Sequence, residues 1–224
     1  MINGIIFDFD GLIFDTETHQ YHILQEMFGQ YDSELPLALW QNEVGTDGGF
    51  SPFHYMEQQI GKPVEHELLN KQYKEKFLSV LSQEKPRDGV VEYLQMAQEL
   101  DLKVGLASSS SYRWVSGHLK NLELFDHFHC IRTSDHVEKV KPDPALYLQA
   151  AKCLDLSPEA CLVFEDSAHG ATAAKRAGMS CVVVPNKITS TMEFGNVEHR
   201  LDSMADVPLK DLLDFVSALK VNQQ

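Results

Sequence analysis

The chain has 224 residues, with 33 acidic and 19 basic side chains and a formal net charge of −14 at pH 7. An acidic balance of that size argues against nucleic acid or an anionic membrane as partner. With 43% hydrophobic and 23% charged residues, the composition is that of a globular chain able to bury a full core.

No stretch approaches the roughly 18 apolar residues of a membrane helix. The opening MINGIIFDFD lacks a basic n-region and carries acids within its apolar part, so no signal peptide is expected. A cytoplasmic monomer is the expectation. Cys130, Cys153, Cys161 and Cys181 show no CxxC spacing and read as reduced core thiols. The histidines are scattered, without the spacing of a metal motif, and read as surface or packing residues.

The apolar run Ile5-Ile6-Phe7 reads as a buried parallel strand, closed by Asp8 and Asp10 and followed at once by Gly11. Residues two apart on a strand share a face, so the two carboxylates converge if extended backbone persists through Asp10. Converging like charges disfavour each other's ionisation, and a hard divalent ion such as Mg2+ is the usual remedy.

Helical periodicity without a convincing strand then runs over 16–81. Helices are expected over 16–29, 36–44, 52–60 and 65–81, separated by Gly45-Thr46-Asp47-Gly48-Gly49 and by Gly61-Lys62-Pro63. An all-helical block inserted directly after the first strand looks like a lid. From Pro86 onward helices and strands alternate, with strands expected over 103–108, 128–131, 161–165 and 180–184 and helices over 89–100, 112–122, 144–154 and 168–177. That alternation implies an α/β fold, a doubly wound parallel sheet with right-handed crossovers. The domain division expected is a core of 1–15 and 82–224 with a helical cap of 16–81, and only 221–224 reads as a frayed tail.

Three further strand ends carry polar groups. Leu106-Ala107 runs into Ser108, Ser109, Ser110 and Ser111 before a helix, where hydroxyls and free amides make an anion site, or a helix cap alone. Lys141 sits in Val140-Lys141-Pro142-Asp143-Pro144, whose prolines would aim one ammonium at a phosphate or at crowded acids. Glu165 and Asp166 close the run that begins at Cys161; one can cap the next helix, and metal coordination shared with Asp8 gives the second a role.

DFDGLIFDT (8–16), the serine after Leu106-Ala107, Lys141 in KVKPDP and FEDSAHG (164–170) together resemble the haloacid dehalogenase superfamily of phosphotransferases, most closely its β-phosphoglucomutase-like group with a helical cap. The resemblance spans almost the whole chain. It implies a Rossmann-like sheet and a Mg2+-dependent phosphoryl transfer through an aspartyl-phosphate. Asp8 would be the nucleophile and Asp10 the general acid and base. Ser108 would bind the transferring phosphoryl group, with Ser109 and Ser110 beside it, and Lys141 would offset negative charge. Glu165 and Asp166 would hold Mg2+ with Asp8 and the backbone carbonyl of Asp10. Thr16, Thr46 and Asp47 are expected to face the leaving group, a small phosphorylated metabolite such as a sugar phosphate or a phosphoglycolate-like compound.

Within that superfamily, an acid two residues after the nucleophile disfavours halide displacement. Mutases typically present an Arg after the first cap-loop glycine and often a Lys after the serine run. Here 45–50 offers no cation and the second position is Ser111, so hydrolysis is favoured over mutase activity. A signalling receiver shares these residue types, but there the lysine comes last, whereas Lys141 precedes Glu165 and Asp166. A catalytically silent binding protein would need a blocked cap, since every matched position carries a competent residue.

Overall fold

The computed structural model describes residues 2–46 and 49–222, with side chains through residue 219. Six parallel strands form one sheet in the order β3-β2-β1-β4-β5-β6. They are β1 (Gly4–Phe7), β2 (Lys103–Ala107), β3 (Cys130–Arg132), β4 (Cys161–Glu165), β5 (Ser180–Val183) and β6 (His199–Arg200). The helices are α1 (Thr16–Gly29), α2 (Leu37–Gln41), α3 (Pro52–Ile60), α4 (His66–Leu81), α5 (Val90–Glu99), α6 (Tyr112–Asn121), α7 (Ala145–Cys153), α8 (Ala168–Arg176) and α9 (Leu209–Asn222).

Both faces of the sheet are covered, which is why its strands read as unbroken apolar runs. Successive side chains divide between two cores. Ile5, Phe7, Val104, Leu106, Leu162 and Phe164 face α5, α6 and α9, while Ile6, Ala107, Cys161 and Val163 face α7 and α8. The first core continues into α1–α4, which lie in the chain between β1 and β2, through Leu24, Met27, Phe28, Phe53, Leu69 and Phe77. Asp15 caps α1 by accepting from the Thr18 N–H, and Gly61 ends α3 at φ +68°, the left-handed turn that leads back into α4.

Three expectations are corrected. The second helix is only Leu37–Gln41, because the chain turns out of it before the glycine-rich loop. β6 and α9 were not foreseen, and helix continues through Asn222 where a frayed tail was expected; Gln223 and Gln224 lie outside the described residues. Cys130 and Cys153 are disulfide-bonded, because β3 and the end of α7 pack side by side with Cα atoms 6.1 Å apart. Cys161 and Cys181 stay outside that bond and are buried, as the reading of core thiols expected. Among the described residues, no helix is long and apolar enough to cross a membrane.

Candidate active site

The carboxyl ends of β1, β2 and β4 converge because these strands are neighbours in the sheet. Asp8 follows β1 and extends the ladder, its N–H donating to the Phe164 carbonyl at 3.0 Å. Its Oδ1 is paired with the Lys141 ammonium, which is 1% exposed and also donates to Glu165 Oε1 at 2.7 Å. Tyr147 donates to that same oxygen at 2.6 Å, and Glu165 Oε2 accepts from the Asp166 N–H, the Ser167 N–H and the Ser167 hydroxyl at 3.0–3.1 Å. The cradle is tight: a Cβ added at Gly170 would lie 1.7 Å from Glu165 Oε1. Ser167, rather than either acid, caps α8 by accepting from the Gly170 N–H.

Charge in this closed site is unbalanced. Asp8, Glu165 and Asp166 each bring a carboxylate oxygen within 4.8 Å of the others, against one ammonium. Burial pushes the Asp8 carboxyl up to about 8, with Glu165 and Asp10 adding to the rise and Lys141 opposing it. Burial, then Glu165 and Asp8, hold the Asp166 carboxyl well above its usual range. For Lys141, burial works against the ammonium, but Asp8 and Glu165 outweigh it and its pKa is raised. Asp166 Oδ2 accepts from Asn186 at 2.8 Å, whereas its Oδ1 is buried without a partner among the described residues. An orphaned carboxyl oxygen beside two other carboxyl groups fits a hard divalent cation, which would favour their ionised forms.

Asp10 turns away from that cluster. Gly11, at φ +85°, bends the chain where a Cβ would collide with Asp166 Oδ2 at 2.3 Å. The Asp10 carboxylate accepts from Thr16 (3.1 Å) and the Trp114 indole (2.8 Å) on Oδ1, and from Ser110 (2.6 Å) and Ser108 (3.4 Å) on Oδ2. Asp10 borders a cavity of about 450 Å³, lined also by Asp8, the three serines and Trp114 and by residues of 17–73.

A sequence profile of the haloacid dehalogenase-like hydrolases matches residues 5–184. The chain belongs to the haloacid dehalogenase-like hydrolases. It is 56% identical to YhcW of Bacillus subtilis (strain 168), a candidate phosphatase by name, over 97% of this chain and 99% of that protein. It is 31% identical to the β-phosphoglucomutase of the same organism over 82% of this chain and 83% of that one. The crystal structure of CbbY from Rhodobacter sphaeroides in complex with phosphate superposes with a TM-score of 0.72 at 26% identity, covering 92% of this chain and 96% of that chain. The resemblance carried by the four motifs is thus a family membership, and the fold read from the alternating elements is that of its solved members.

In this hydrolase the structure brings together Asp8, Lys141, Glu165 and Asp166 as one buried group, and Asp10, Thr16, Ser108 and Ser110 as an adjoining one. The Asp10 carboxylate stands apart from the three acids whose oxygens cluster closely enough to hold a metal ion. Thr16 is fully buried and touches Asp10, while Thr46 lines the cavity. Ser109 donates to the Gly45 carbonyl at 3.0 Å, joining the serine loop to the glycine-rich loop. Asp47 lies outside the described residues.

Four neighbours escaped the sequence reading. Asn186 stands just past β5, the same strand-end signal that marked the acids. Trp114 and Tyr147 are placed by helix packing and carry no local signal. Glu17 lies in the first turn of α1, where an acid reads as dipole compensation; it lines the cavity, and burial, then Asp10, Asp8 and Asp15, push its carboxyl up to about 8.

Proposed function

We propose that the chain is a Mg2+-dependent phosphomonoester hydrolase for small, hydroxylated, phosphorylated metabolites, working through an aspartyl-phosphate on Asp8. The observation that carries this reading is that Asp8 and Asp10 open onto one cavity, the first pinned by a buried ammonium and the second held by hydroxyls and an indole. In this reading residues 16–81 form a cap over a core of 1–15 and 82–224.

Asp8, held through Oδ1 by Lys141, attacks phosphorus with its other oxygen, forming the acyl-phosphate bond as the ester P–O bond breaks. Asp10 gives its proton to the departing alkoxide. It then takes a proton from water as that water attacks phosphorus, releasing inorganic phosphate and restoring Asp8. Ser108 hydrogen-bonds the phosphoryl group, with Ser109 and Ser110 lining its approach. Asp8 and Asp166 would hold Mg2+, helped by the Asp10 backbone carbonyl, and the ion would offset charge on the phosphoryl oxygens. Glu165, whose oxygens already accept five hydrogen bonds, reads as the brace of that pair.

No Lys or Arg occurs among the described residues that line the cavity; Glu17, Gln20, Glu43, Asn70 and Tyr73 line it instead. Lys71 and Lys74 are exposed, and Lys71 lies beside Glu75. Such a lining suits neutral hydroxyls and gives a carboxylate or second phosphate nothing to pair with. Likeness to β-phosphoglucomutase supports a mutase as the second reading. The two separate in one assay of sugar phosphates, polyol phosphates, phosphoglycolate and β-glucose 1-phosphate, with Mg2+ or EDTA. Hydrolysis predicts metal-dependent phosphate release, fastest on uncharged polyol leaving groups; isomerisation of the glucose phosphate without net release would favour the mutase.

A further inference from the structure

Away from the cavity, α3 and α4 bring two histidines and a glutamate together. His54 and Glu57 stand one turn apart on α3, so they share a face, and the turn at Gly61 returns the chain so that His66 opens α4 beside them. Glu57 Oε1 lies 2.9 Å from His66 Nε2, and its Oε2 lies 3.2 Å from His54 Nδ1. One ligand atom from each residue falls within 4.8 Å of the others. Sequence spacing hides the group, since the second histidine enters through tertiary structure.

We propose that His54, Glu57 and His66 bind a divalent transition-metal ion, Zn2+ foremost, bracing the joint between α3 and α4. Two imidazole nitrogens and a carboxylate oxygen are a donor set for Zn2+, Co2+, Ni2+ or Cu2+, with water completing the shell, whereas Mg2+ prefers all-oxygen surroundings. Tetrahedral Zn2+ with arms of about 2.0–2.2 Å separates its ligand atoms by roughly 3.3 Å, and the three ligand atoms here lie within 4.8 Å of one another, so a small contraction closes the set. His54, 63% exposed, can rotate to close the set without moving backbone. The glutamate is already oriented, because the Val64 N–H donates to Oε1 at 2.9 Å. Asn70 ties the first turn of α4 by donating to the His66 carbonyl at 2.8 Å.

The location gives the site a consequence. Phe53, next to His54, and Asn70, one turn beyond His66, both line the cavity. An ion at the joint would fix the spacing of those two walls without entering the reaction, so this inference stands independently of the hydrolase reading.

The test is calorimetric titration of the full chain with Zn2+ in excess Mg2+, added to compete for the acidic strand-end group. The wild type, His54→Ala, the His54→Ala/His66→Ala pair and Asp166→Asn are compared, with circular dichroism as the control for folding. The expected result is one Zn2+ per chain in the wild type and in Asp166→Asn, weakened at least tenfold in His54→Ala and lost in the double variant, with Zn2+ raising the melting temperature only where it binds. Absence of Zn2+ binding to the wild type, or equal binding by the folded double variant, overturns the proposal; loss in Asp166→Asn alone would assign the ion to the strand-end acids and overturn it too.

Discussion

The indole N–H of Trp114 donates to the Asp10 carboxylate at 2.8 Å while the ring stacks on Phe77 of α4, centroids 5.9 Å apart and planes 18° from parallel. One side chain of the core helix α6 therefore touches both the proposed acid and base and the helical insert. Trp114→Phe keeps the stacking and removes the donor. A hydrogen bond to a charged acceptor contributes about 1.5–3 kcal/mol, so kcat should fall about tenfold or more with KM little changed, and the pH profile of kcat should shift. Unchanged kcat and an unmoved profile would mean the indole only packs.

Acid groups in the cavity make stability depend on pH. Burial pushes Glu17 and Asp8 up to about 8 in the folded chain, against ordinary carboxyl values of 4.5 and 3.8. Between those values the folded state holds protons that the unfolded state has released, so stability is full below the unfolded pKa and is lost as pH rises through about 8. Each group contributes at most about 1.4 kcal/mol per pH unit. The melting temperature in EDTA should therefore drop between about pH 5 and pH 8.5, Mg2+ should reverse much of the drop, and Glu17→Gln should flatten it. A melting temperature that rises with pH in EDTA would contradict the sign.

Glu165 is predicted to matter first for folding. Replacing it by Gln breaks a buried ionic network and should destabilise by about 3 kcal/mol. Gly170→Ala, whose Cβ would sit 1.7 Å from Glu165 Oε1, should lose about 2 kcal/mol through overpacking. Urea denaturation reads both, and wild-type midpoints would contradict the cradle.

Asp166→Asn should behave differently. Its Oδ1 has no partner among the described residues, and Asn keeps the side chain's shape while giving up the ionised form that burial, Glu165 and Asp8 disfavour. Urea stability should hold or rise, while the Mg2+ concentration for half-maximal activity climbs more than about tenfold. Unaltered Mg2+ dependence would assign the ion elsewhere.

Much of the site was legible because strand ends announce themselves. Asp8, Glu165 and Lys141 stand where an apolar run or a proline-fixed turn stops, and these local signals mark the convergence of β1 and β4. The partition of labour among them was not legible. That Glu165 is saturated, that Asp10 turns toward the serines, and that Thr16 is buried against it depend on backbone bends at Gly11 and on helices far along the chain. Trp114, Tyr147 and the Cys130–Cys153 bond share that origin, since packing rather than spacing brings their partners near. β6 is two residues long and α9 lies at the end of the chain, where no strand-end chemistry drew notice.

A covalent phosphoryl group on Asp8 can be trapped directly. Asp10→Asn should still accept it from a substrate with a good leaving group, such as p-nitrophenyl phosphate, yet lack the base that activates water, so acid-quenched enzyme should carry a phosphoryl adduct on the peptide containing Asp8. Asp8→Asn should carry none and release no phosphate. Turnover persisting in Asp8→Asn, with no adduct in Asp10→Asn, would contradict the account.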